Sequence, residues 1–143
     1  MNNIIKFEEM ENINNISYSS LNNWIKEEYT TNIINNCEKI ICELFINGEL
    51  KKKLEIELEI WHNLIKKLFK IIKQRNYFWN KQYFVKGDEN VLDVYPWKIE
   101  IKNKKGECIE IKCKGKYPEI FTDFLTLIYD IEKIGRASCR ERV

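Results

Sequence analysis

The residues whose types and spacing most invite chemistry are four cysteines in two C-x4-C pairs, Cys37 with Cys42 and Cys108 with Cys113. Four thiolates are enough to bind zinc tetrahedrally. The spacing argues against it, because zinc knuckles use gaps of two to four residues closed by a tight turn. Cys108 and Cys113 instead fall in a segment of extended pattern, where an odd offset sends side chains to opposite faces. Buried or half-buried free thiols of a reducing compartment are the expected state, and nothing suggests a disulfide framework. His62, the only histidine, has the chemistry of a general base or a metal ligand. It sits beside Trp61 at the polar boundary of an amphipathic segment, and no serine or cysteine marks itself as its nucleophile partner. Asp93, ahead of an extended segment, suits capping of turn N–H groups better than catalysis. Glu55, Glu57 and Glu59 form a row at spacing two, which reads as a solvated face and not as a tuned acid–base pair. The sequence contains no phosphate loop, dinucleotide fingerprint, zinc-protease helix or EF-hand loop. No catalytic, cofactor-binding or metal-binding residue is therefore assigned, and no cofactor is expected.

A basic and aromatic stretch is the remaining candidate surface. Lys66, Lys67, Lys70, Lys73 and Arg75 are able to meet phosphates, and Tyr77, Phe78, Trp79, Tyr83 and Phe84 to stack on bases. The distribution of charge weakens that reading. The chain has 24 basic and 22 acidic residues, a formal net charge of +2, but the excess lies entirely in the last ten positions. Ile134 to Val143 holds the chain's only alanine, Ala137, and all its arginines except Arg75. It follows a chain dominated by Ile, Lys, Asn and Glu, the amino acids of AT-rich coding sequence. The bases ATC GGA AGA GCG TCG TGT AGG GAA AGA GTG encode this segment residue for residue, so it resembles a translated sequencing adapter. Residues 134–143 are read as a non-native tail and set aside as an expression scar would be, which leaves 1–133 as a domain expected to have lost its C-terminal end. Without Arg136, Arg140, Arg142 and Glu141, 21 basic and 21 acidic side chains remain. A neutral domain has no global electrostatic reason to seek nucleic acid or an anionic membrane. The lysines then read as a solvated helix face, and the aromatics as loop anchors or a patch that binds protein.

The elements that must position these residues can be read from periodicity. Trp61, Leu64, Ile65, Leu68, Ile71 and Ile72 recur at helical spacing and predict an amphipathic helix over about 58–75. Residues 54–60 alternate like a half-buried strand, so the strand-to-helix boundary falls near 57–60. Ile40–Ile46 and 49–57 flank Asn47-Gly48, the strongest short hairpin signal in the chain. Trp97, Ile99 and Ile101 alternate with charged residues up to Asn103-Lys104-Lys105-Gly106, and Cys108–Cys113 resumes the pattern, which predicts a second hairpin. A second helix is expected over about 118–133, with Pro118 in its first turn and Phe121, Phe124, Leu125, Ile128 and Ile131 on its core face. Residues 20–36 fit helix or strand, and 76–92 read as a connecting loop. At 143 residues, 32% charged and 44% hydrophobic, one soluble domain is the economical reading, without a membrane span or signal peptide and expected in the cytoplasm. The expected fold is α+β, an antiparallel sheet with two amphipathic helices packed on one face.

Val91-Leu92-Asp93-Val94-Tyr95-Pro96-Trp97, then Gly106, then Gly115-Lys116-Tyr117-Pro118-Glu119-Ile120-Phe121, resembles a group of small bacterial α+β proteins with a DGxxW strand and a Gly, Tyr-Pro, aromatic ending. The resemblance covers residues 54–133. Val94 replaces the glycine of the pattern, and Gly115 lies closer to Tyr117 than is usual. It implies an α+β fold and no particular activity. The function expected is binding of another protein without catalysis, in a bacterial defence or self-protection setting. The alternatives are a cryptic metal protein or enzyme using the Cys, His62 and Asp93 set, and nucleic-acid binding through the basic helix face.

Overall fold

In a computed structural model, residues 5–22, 25–86 and 96–140 are described. The chain folds as α+β, with a seven-stranded sheet and two long helices. Strands β1 (Ile13–Asn22), β2 (Glu27–Asn35), β3 (Ile40–Ile46) and β4 (Glu49–Glu55) form an antiparallel meander. Helix α1 (Leu58–Arg75) follows, then β5 (Lys81–Lys86), the hairpin of β6 (Pro96–Asn103) and β7 (Cys108–Lys114), and helix α2 (Thr122–Arg140). The strand order is β4-β3-β2-β1-β6-β7-β5. The undecided stretch 20–36 supplies the end of β1 and all of β2, residues 23–24 lying outside the described ones, and the hairpin at Asn47-Gly48 stands. Both turn residues have positive φ, 53° and 80°, the two-residue geometry whose twist matches that of its strands.

Two expectations need correction. Within 76–92, residues 81–86 form an edge strand, paired parallel to β7, so the sheet is mostly but not wholly antiparallel. The parallel partners are not consecutive: α1 carries the chain from β4 at one edge of the sheet to β5 at the other, and β6, antiparallel to β7, comes between β5 and β7 in the chain. The last helix starts at Thr122, not at Pro118, after a 3-10 turn over Glu119–Phe121, and runs on to Arg140. Asp93 and the rest of 87–95 lie outside the described residues.

Register explains the burial. Ile16, Ile33, Cys42 and Leu54 align across the meander, and Trp97, Cys113 and Val85 across the other half, so these side chains share one sheet face. These join the buried side chains of both helices in a single hydrophobic cluster. Every residue foreseen for the core faces of the two helices is buried. The opposite face sets polar pairs beside Ile34, Ile41, Phe45 and Phe84. Asn15 donates to Asn32 at 2.8 Å, Asn32 donates to Glu43 at 3.1 Å, and Lys53 meets Glu43 at 3.7 Å.

Helix α1 ends as its sequence allows. Asn76 takes left-handed φ, 56°, and the Tyr77 N–H donates to the Ile72 carbonyl at 3.0 Å. This turn drives the Tyr77 ring into the core, against Tyr83 at 4.1 Å between ring centres.

Replacing Leu68 or Phe124 by alanine should cost about 2–5 kcal/mol in urea unfolding, since both are fully buried; a loss below about 1 kcal/mol would contradict that burial. Tyr77 Oη is buried and has no hydrogen-bond partner among the described residues. Tyr77→Phe should therefore be neutral or stabilise by up to about 1 kcal/mol in the same assay, because the phenylalanine leaves no polar group to desolvate.

Candidate functional site

The residues singled out in the sequence do not come together. Cys37 is exposed in the β2–β3 turn with φ of 76°, Cys42 is buried on the core face of β3, and Cys108 is half-buried. Cys113 is buried against the core, and its odd offset from Cys108 along β7 does place the two on opposite faces. Among the described residues no three His, Cys, Asp or Glu side chains are grouped so as to hold a metal. Burial, then the charges of Glu132 and Glu43, push the Cys42 thiol up to about 12, and burial also raises Cys113. His62 is exposed on α1. Glu57 occupies the N-cap position of α1 and Glu59 its first turn, so with Glu55 on β4 they do not share one strand face. Lys67 pairs with Asp123 at 3.8 Å, and the Arg75 guanidinium lies 5.9 Å from the Phe121 ring centre. The aromatics of the basic stretch scatter: Tyr77 is buried, Tyr83 accepts the Phe78 N–H at 2.6 Å, and Phe84 is 79% exposed.

The concave feature that the structure does build lies at one end of the core face. Pairing of Ser20 with Tyr29 on β2 and with Trp97 on β6 sets a small side chain between two large aromatics. One step along β1, the Tyr18 hydroxyl meets the Tyr129 hydroxyl of α2 at 3.3 Å, and the Thr31 hydroxyl donates to Glu132 at 2.5 Å. Beyond that contact, at Ser20, the face opens as a cleft of about 410 Å³, sharing Tyr18, Ser20, Tyr29 and Tyr129 with a second lobe of about 420 Å³ that adds Glu132. This is the size of a small-ligand or side-chain pocket.

The walls are held by local bonds. The Trp97 indole N–H donates to the Gly115 carbonyl at 3.0 Å, in a turn where Gly115 has φ of 103°. Only glycine adopts that conformation at no steric cost. The same turn brings the Tyr117 ring edge-on to Trp97 at 6.5 Å, while Phe121 backs the indole at 5.5 Å. Tyr29 donates its hydroxyl to Glu27. Burial, more than any other cause, raises Tyr18 and Tyr129 above the ordinary tyrosine range, and Glu132 adds to the shift in both. Both phenols therefore stay neutral and able to donate at any physiological pH.

Known protein families, curated proteins and solved structures offer no match to this chain. The cleft's chemistry must be judged from its residues alone. Sequence reading did not single out Tyr18, Tyr29, Tyr129 or Glu132 as a site, since each lies on a different part of an element whose face assignment depends on the strand register.

The burial of the thiols gives a direct check. In a Cys139→Ser background, Cys37 should react with a disulfide reagent in the first phase at pH 8, and Cys42 and Cys113 only as the chain unfolds. Peptide mapping showing early modification at Cys42 would contradict its place on the core face.

Proposed function

We propose that this chain is a protein-binding module and that its docking point is the tyrosine-walled cleft. In this reading both long helices cover the apolar face of the sheet, and the cleft is the place where that cover stops short. The observation that supports it best is the composition of the opening: tyrosines and a tryptophan around a serine floor, with Tyr129 37% exposed at the mouth. Tyrosine and tryptophan offer large rigid contact area with a polar tip, which is why they dominate the energetics of protein interfaces. A partner side chain entering here would exchange water for ring faces and meet hydroxyl donors at the rim. A role in bacterial defence or self-protection is the process we attach to such a module.

Peptide display against the full chain tests the reading. Selected peptides should bind the wild type and lose about 2 kcal/mol or more on Tyr129→Ala or Tyr29→Ala, the size of an interface anchor. Circular dichroism must show that each variant is folded. Selections that yield no binder, or binders indifferent to both substitutions, would remove the cleft as the docking point.

A further inference from the structure

The two edges of the sheet are finished differently. β4 closes one edge with charge on five of its seven residues, and a register shift at Leu44/Phe45 interrupts its pairing with β3. Lysines and bulges of this kind keep a sheet edge from accepting another strand. β5 closes the other edge with Lys-Gln-Tyr-Phe-Val-Lys, charged only at its two ends, and its six residues pair with β7 without a register shift. Among the described residues no strand lies on its far side, so alternate N–H and C=O groups of β5 face away from the sheet without a strand partner. We propose that this edge takes up an extended acidic segment of a partner protein as an eighth strand. It is a second surface, and it does not depend on the cleft.

Phe84 marks the place. It is the most exposed large hydrophobic side chain among the described residues, at 79%, whereas its neighbours turn to the core side, where Tyr83 lies against Tyr77 and Val85 is buried. Register sets Phe84 in one row with Lys112 of β7 and Lys98 of β6, and sets Lys86 beside Lys114. Phe84, Lys98, Lys112 and Lys114 line a groove of about 340 Å³. In strand addition the backbone bonds supply affinity and the side-chain pockets supply specificity. An apolar side chain opposite Phe84 would cover its ring, and carboxylates opposite the strand's ends would meet cations. Lys98 and Lys112 already reach Glu100 and Glu110, at 2.7 and 2.9 Å, but Lys81 and Lys114 make no ion pair among the described residues. The one carboxylate among the described residues of the groove, Glu28, belongs to β2, three places beyond β7 in the sheet. A second copy of β5 would bring its own two lysines to this edge and no acid, which makes it the disfavoured occupant.

The probe is the peptide acetyl-Glu-Thr-Ile-Thr-Thr-Glu-amide, titrated into the ¹⁵N-labelled full chain with the amide signals of residues 81–86 as reporters. Laid antiparallel to β5, it sets isoleucine opposite Phe84 and a glutamate opposite each terminal lysine. The same peptide with lysines in place of both glutamates is the control. Saturable shifts are expected for the acidic peptide, at least about tenfold tighter than for the control, since two favourable cross-strand pairs become two unfavourable ones. Lys81→Glu should erase or reverse that preference. Phe84→Ser, at an exposed position, should weaken the acidic peptide about fivefold or more. Methylating the peptide's amide nitrogens at one alternate set of positions or at the other blocks one of its two edges; one set should abolish binding and the other preserve it.

Equal binding of the acidic and basic peptides, or no saturable shift in the wild type, would overturn the proposal without recourse to a variant. Equal effects of the two methylation sets would show that the peptide does not add as a strand. A dimer in sedimentation equilibrium that Phe84→Ser dissociates would make a second copy the occupant, and tighter binding of an oligothymidylate than of the acidic peptide would give the surface to nucleic acid; either result sinks the proposal. Tyr29 lies on β2, four places from β5 in the sheet, so Tyr29→Ala should change peptide binding by less than about twofold. Loss of binding in that variant would put the peptide in the cleft instead, and the two readings thus fail separately.

Discussion

Everything in this fold depends on one crossing. The meander β1–β4 ends at one edge of the sheet, yet the next strand lies at the other edge, six inter-strand gaps away. At about 4.8 Å per gap this is roughly 29 Å, and the 18 residues of α1 span about 27 Å at 1.5 Å per residue. The apolar stripe of α1 contributes Trp61, Leu64, Leu68 and Ile71 to the same cluster as the sheet.

The two sheet faces meet different demands. On the core face, β-branched and aromatic side chains stack in rows fixed by register. On the other, like charges stand directly opposite one another, Lys98 across from Lys112 and Glu100 across from Glu110. Such pairs are unfavourable. They are offset along each strand, where Lys98 reaches Glu100 at 2.7 Å and Lys112 reaches Glu110 at 2.9 Å. Both ion pairs are exposed enough that their contribution is small, so this face is neutralised more than it is stabilised. Ser20 shows what one small residue in the core rows does: the row closes at Tyr18 and opens at the serine, and the cleft follows.

What the sequence disclosed was what depends on local order. Trp61 to Ile72 keep helical period without interruption, and Asn47-Gly48 needs only its own two dihedrals to make a turn. Strands β1 and β2 give a weak signal because their outward positions are mostly Asn, Ser and Thr, and because Ile33-Ile34 breaks the alternation. Strand β5 reads as loop in the sequence because Tyr83, Phe84 and Val85 are contiguous aromatics and apolars, without the alternation of a half-buried strand. The cleft leaves no local signal. Its members come from β1, β2, β6, the turn at 115–117 and α2, and only the registers of the strands and the phase of a helix bring them together.

The central position of β1 bears on how the chain comes off the ribosome. Its partner on one side, β2, is made at once, but Ser20 does not meet Trp97 until β6 has emerged, long after the meander and α1 are complete. Throughout that interval the inner edge of β1 is an unpaired row of N–H and C=O groups beside a finished four-stranded sheet, the arrangement that templates pairing between nascent chains. The polar side chains Asn15, Ser17 and Ser19 on that strand then have a second effect: they keep this temporary edge from being a hydrophobic one as well.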